Sequence, residues 1–193
     1  MSIELIKQLR EITGVGISDA KKFLDESGGN LDAAIEVARK HGQKVAAKKQ
    51  DRVAGQGMID SYIHGNGKIG VLLQLNCETD FVARNESFRE LAHELCIHIA
   101  AMNPVYIKRD DISADVIAKE KEIETEVLKQ EGKPEAMIEK ILEGKLNKFY
   151  ADNCLLEQVF VKDDSKKVLS LIEEYTLKLG EKIEIVRFIR YTM

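Results

Sequence analysis

Residues 57–102 constrain the fold most, because the spacing of their apolar residues changes from a period of two to a helical one. His64-Gly65-Asn66-Gly67-Lys68 holds an Asn-Gly pair, the strongest short-range signal for a tight β-hairpin. Before it, Met58, Tyr62 and His64 share one face of a strand, with Ile59 and Ile63 on the other. After it, a mostly apolar run from Ile69 to Leu75 stops at Asn76. Thr79 then stands as an N-cap, and Asp80 places a carboxylate where the start of a helix favours negative charge. Phe81 follows, a large apolar ring at a strand-to-helix corner. Read locally, it is a core residue anchoring that corner. From 85 to 102 the stripe Phe88, Leu91, Leu95, Ile99 and Met102 marks a long helix, with His93 on its polar side and Cys96 and His98 at its margins. Asn103-Pro104 ends it.

The flanking segments are mainly helical. Residues 1–42 read as three short helices capped by Ser2, Ser18 and Asn30, with breaks at Thr13–Gly16 and Ser27–Gly29 and an end at His41-Gly42. Their inward positions are Ile3, Leu5, Ile6, Leu9 and Ile12, then Ala20, Phe23 and Leu24, then Leu31, Ala34, Ile35 and Ala38. Residues 43–56 form a basic helical linker. Residues 114–131 and 134–150 make two amphipathic helices around Gly132-Lys133-Pro134, an αα-hairpin. It is either a packed structural element or an association arm. Lys166–Leu179 reads as a helix and Lys182–Tyr191 as a final strand, with Ile183, Ile185, Arg187, Ile189 and Tyr191 on one face. Helices and antiparallel strands without a βαβ rhythm give an α+β fold: a three-helix module at 1–42, the linker at 43–56, and an antiparallel-sheet core at 57–193 that includes the helical hairpin 114–150.

Composition narrows the function. The chain has 193 residues and a formal net charge of −4, and that acidic balance disfavours a general nucleic-acid binder. No apolar run approaches the ~18 residues of a membrane span, and Met1-Ser2-Ile3-Glu4 lacks a basic, secretory n-region. Three widely spaced cysteines, Cys77, Cys96 and Cys154, make neither a disulfide framework nor a metal-ligand pair. The expected setting is a reducing cytoplasm.

Three features invite a chemical reading that their context weakens. Gly65–Gly70 matches G-x-G-x-x-G, but the sequence continues as a strand, not as the helix that a pyrophosphate site needs. Lys44, Lys48, Lys49 and Arg52 form either a phosphate-binding strip or a solvated linker; no aromatic residue is interleaved to stack on bases. Cys77 with His41, His64, His93 or His98 is the available nucleophile-and-base pairing, and no local signature supports it. His93 and His98, five apart, do not share a helix face for zinc. The residues alone thus describe a binding protein rather than an enzyme.

The stretch Asn76-Cys77-Glu78-Thr79-Asp80-Phe81-Val82-Ala83-Arg84 resembles the second signature of the elongation factor Ts family. Leu9–Leu24, around Thr13-Gly14-Val15-Gly16-Ile17-Ser18, resembles its first, with Phe23 where a small residue is usual. Leu155–Ser165 resembles a C-terminal segment, with Val159 replacing a frequent proline. Gln74 stands where an acid usually precedes Leu75-Asn76. The resemblance spans nearly the whole chain.

The resemblance implies a guanine nucleotide exchange factor for elongation factor Tu, without covalent catalysis or a cofactor of its own. Thr79, Asp80, Phe81 and Val82 would form the nucleotide-release element, with Phe81 entering a slot beside the partner's magnesium and phosphates. Arg10, Ile17 and Ser18, on a module similar to a ubiquitin-associated domain, would anchor the partner. His64 would touch a third partner domain. One hairpin and one Thr-Asp-Phe motif mark the short family form, which implies a homodimer with Phe81 and His64 contributed by different subunits. The partner would be engaged in its GDP-bound and nucleotide-free states, with no direct nucleic-acid or membrane contact. An adaptor lacking exchange activity is the alternative.

Overall fold

A computed structural model describes residues 2–193. The order is α1 (Ile3–Thr13), α2 (Ile17–Glu26), α3 (Leu31–Lys49), β1 (Gln56–His64), β2 (Ile69–Cys77), α4 (Asp80–Ala83), α5 (Glu86–Met102), α6 (Ala114–Gln130), α7 (Glu135–Asn153), β3 (Val159–Phe160), β4 (Asp163–Lys167), α8 (Val168–Leu179) and β5 (Glu184–Thr192). All strand pairings are antiparallel, in a three-stranded sheet ordered β1-β2-β5 and a two-stranded sheet of β3 and β4. The fold class is α+β. No helix among the described residues is long and apolar enough to cross a membrane. The chain divides into two compact units, residues 1–100 with 169–193, and residues 101–168.

In the first unit, β1 and β2 meet across the Gly65–Lys68 turn, where Asn66 and Gly67 both take positive φ. The glycine-rich loop is therefore the hairpin turn and runs straight into β2. The inward face of β2 supplies Val71, Leu73, Leu75 and Cys77, all buried, and Phe88, Leu91, Leu95 and Ile99 of α5 are fully buried as well. Met102, expected on the same stripe, is 42% exposed, whereas His98 is fully buried.

The final strand departs from simple alternation. Leu75 faces Ile185 while Gln74 faces Arg187, so Val186 is the extra residue of a β-bulge. The bulge reverses which side of the sheet each later residue takes. Ile183 and Ile185 are buried, but Ile189 and Tyr191 share the outer face with Ile59, Ile63 and Leu72, and all five are exposed. Arg190 turns inward instead, and its guanidinium donates to the Ala100 carbonyl near the end of α5 (3.1–3.2 Å).

The three N-terminal helices form as their caps dictate, with two corrections. Ser2 and Asn30 cap α1 and α3 through their side chains. Ser18 does not cap α2; that position belongs to Gly16, and Ser18 lies inside the helix. Helix α3 runs through Gly42 to Lys49. Gly42 is buried because α8 approaches it: an added Cβ would lie 3.5 Å from the Glu173 carbonyl and 3.6 Å from the Leu177 side chain. A glycine that permits close helix packing is not a stop signal. The small core of Leu9, Val15, Ala20, Phe23, Leu24, Ala34 and Ala38 also takes in Leu177 of α8, while Ile3 and Ile12 stay exposed. Arg39 pairs with Glu174 at 3.6 Å on the same contact.

In the second unit, α6 and α7 pack as the expected helical hairpin, with Leu128 and Ile138 buried. Cys154 bridges to Tyr106, and the Gln158 amide donates to the Met102 and Asp152 carbonyls (3.4 and 2.7 Å). Arg109 pairs with Glu157 and lies over the Tyr150 ring at 4.3 Å. The β3–β4 pair was not foreseen: residues 166–167 belong to β4, and α8 starts at Val168.

Candidate partner-binding elements

The corner after β2 is built by bonds from three parts of the first unit. Cys77 is fully buried and its thiol donates to the Thr79 carbonyl at 3.1 Å. Burial, with the nearby Glu181 charge second, pushes that thiol up to about 11. It stays protonated at neutral pH and is not a nucleophile. Thr79 caps α4 by accepting from the Val82 N–H at 3.4 Å. Asp80, in the first turn, pairs with Arg84 at 3.1 Å.

Phe81 is 82% exposed. The corner-anchoring reading therefore fails. Val82 and Ala83, the next two residues, are the half-buried ones that turn towards the sheet, and α4 packs on β1 and β2. A helix of four residues thus presents one aromatic ring outward. Since exposing a Phe side chain forgoes roughly 1.5–3 kcal/mol of burial, the posture is imposed by the surrounding bonds rather than by packing of the ring.

Those bonds come from the turn between α8 and β5. Glu181 Oε2 accepts the N–H groups of Glu78 (3.1 Å) and Thr79 (2.9 Å), and Oε1 accepts the Thr79 hydroxyl (2.6 Å). Glu78 answers by accepting the Lys182 N–H at 2.6 Å and pairing with Arg52 at 3.2 Å. The Lys182 N–H, with Arg52 adding its charge, holds the Glu78 carboxyl below its usual range. Lys49, at the end of α3, donates to the Gly180 carbonyl at 2.6 Å. Two residues of the basic stretch thus fasten this joint. Glu78 stands inside the quoted motif, yet nothing local assigned it a role. Glu181 carries no short-range signal, since its partners lie about a hundred residues away.

The other expected contact residues lie elsewhere. Arg10 is exposed and its Nε–H donates to the Val15 carbonyl at 3.4 Å, closing the turn that Gly14 begins at φ 69°. Ile17 is 61% exposed, and Ser18 is exposed beside it. A Cβ at Gly14 would fall 2.7 Å from the Lys178 side chain of α8, and the positive φ of 69° disfavours any other residue there. His64 ends β1, exposed, with its Nδ1 2.8 Å from the Tyr62 hydroxyl. His93 bonds Asp60 at 3.1 Å on the surface, while His98 is buried on another side of α5.

Residues 9–193 match the family model described as Elongation factor TS. Elongation factor Ts of Thermosipho melanesiensis is 53% identical over 193 residues, which is all of this chain and 98% of that protein. The Thermotoga maritima relative is 52% identical over 191 residues, 99% of this chain and 95% of that one. The relative from Desulforamulus reducens is 51% identical over 193 residues, 89% of its length. With the model match spanning almost the entire chain, this protein belongs to the elongation factor Ts family.

Proposed function

We propose that the chain binds GDP-bound elongation factor Tu, disturbs that protein's magnesium and phosphate site, and releases GDP so that GTP can reload. The single observation that carries this reading is the outward Phe81 ring on a short helix clamped from both sides. Insertion of the ring into the partner recovers the burial energy that it lacks in the free chain. No covalent bond changes, so no catalytic group or cofactor is required of this chain. By linkage, a factor that binds the nucleotide-free partner more tightly weakens nucleotide binding by the same ratio. Each tenfold step needs about 1.4 kcal/mol of differential binding.

The Thr79–Val82 element is the releasing part. Arg10, Ile17 and Ser18 form the anchor on the ubiquitin-associated-like helices 1–42, and 43–56 joins them to the core 57–193. The packing of Leu177 into the three-helix core supports an anchor braced against the body and speaks against a free-standing adaptor. The setting is the cytoplasm, where a translation factor meets its partner.

The assembly is a homodimer. The outer sheet face carries Ile59, Ile63, Leu72, Ile189 and Tyr191, and among the described residues its two outer strands, β1 and β5, each pair on one side only. A second copy supplies a matching apolar face under twofold symmetry. It also supplies the His64 that a single short chain lacks on the far side of the partner. Release of fluorescent GDP from elongation factor Tu, with and without this protein, tests the reading. Acceleration supports it, and an unchanged rate refutes it.

A further inference from the structure

Helix α4 has four residues, too few to hold its own shape, because forming a first helical turn fixes several dihedrals for one hydrogen bond. Its orientation has to be set from outside. Phe81 contributes nothing to that, being 82% exposed. The groups that do so converge on one carboxylate.

Glu181 takes three hydrogen bonds from two consecutive residues, Glu78 and Thr79. Two fix the backbone as it leaves β2. The third commits the only proton of the Thr79 hydroxyl to Glu181 Oε1, which leaves the oxygen's lone pairs for the Val82 N–H. The carboxylate thereby orients the very cap that starts α4. The return bond from the Lys182 N–H to Glu78 closes the clasp, and the Lys49 and Arg52 contacts tie the end of α3 to the same joint.

We propose that Glu181 is a positioning residue that holds Thr79-Asp80-Phe81 in the insertion-ready posture, so that ring entry orders little of this chain. The proposal rests on the exchange reading above. Loss of the carboxylate leaves both N–H groups to water and frees the capping hydroxyl. The ring is then ordered only on contact with the partner, at a cost to the insertion step. Initial binding through the N-terminal anchor is untouched.

The chain contains no tryptophan, so Phe81→Trp places a single reporter on the element. Its time-resolved anisotropy is compared with and without Glu181→Ala in the full-length protein. The expected result is a larger amplitude of fast local motion in the double variant, with the melting transition retained. Equal anisotropy decays overturn the proposal. In GDP release from elongation factor Tu, Glu181→Ala is expected to lower the maximal rate about tenfold while the half-saturating concentration moves less than twofold. Glu181→Gln, which keeps an oxygen for the two N–H groups, falls between. In a Phe81→Ala background the same substitution adds less than a twofold loss. A full tenfold loss in both backgrounds, or an unchanged maximal rate beside an inactive Phe81→Ala, refutes the positioning role. A fully active Phe81→Ala removes the exchange reading instead, and the anisotropy still decides whether Glu181 holds the element.

Discussion

The Glu78 carboxylate accepts the backbone N–H of Lys182 at 2.6 Å, joining the end of β2 to the start of β5 across 104 positions of sequence. Together with Arg52 it keeps Glu78 ionised below the ordinary glutamate value of 4.5. A carboxyl group whose folded value is depressed favours the folded state fully above its unfolded value. That contribution disappears as the pH falls through the folded value.

The first prediction follows from this pair. At neutral pH, Glu78→Gln is expected to melt below the parent chain, because the charge facing Arg52 and the charge-assisted bond are gone. As the pH drops below 4.5 and through the depressed folded value, the two melting curves converge. Calorimetric scans at stepped pH read this out. A gap that persists unchanged at the acid end contradicts the assignment.

A second prediction concerns the three-helix module. Phe23 is 1% exposed, and Leu177 of α8 packs on the same cluster. Phe23→Ala is expected to cost about 3–5 kcal/mol of the module's stability. Leu177→Ala, outside residues 1–42, is expected to weaken the same amides. Native-state hydrogen exchange in α1–α3 is the measurement. Protection unaffected by Leu177→Ala would mean that the helices stand alone.

A third prediction tests the sheet face. Leu72→Glu puts a charge at the middle of the outer face, where the native side chain is half exposed and cross-strand from Ile189. The parent chain is expected to scatter light as a dimer at tens of micromolar and the variant as a monomer with unchanged helicity. A monomeric parent chain would remove the dimer.

Much of this was legible because it is local. The Asn66-Gly67 turn, the Ser2, Asn30 and Thr79 caps, and the stripe from Phe88 to Ile99 each depend on residues within a few positions. What stayed hidden depends on partners far along the chain. The Val186 bulge exists only because β5 lies against β2, and it puts Ile189 and Tyr191 on the side opposite to that of the buried Ile185. Gly42 reads as a helix end until α8 is laid beside it. Phe81 shows the reverse case: its size points to the core, and only the bonds around Glu78 and Thr79 explain how the ring stays outside. Glu181 was illegible for the same reason.

The most direct test of the central claim is stopped-flow release of fluorescent GDP from elongation factor Tu driven by Phe81→Ala. The account predicts a folded variant with the parent's melting behaviour, since the ring is 82% exposed, and a loss of most of the stimulated rate. A Phe81→Ala protein that is folded and releases GDP as fast as the parent chain would contradict it.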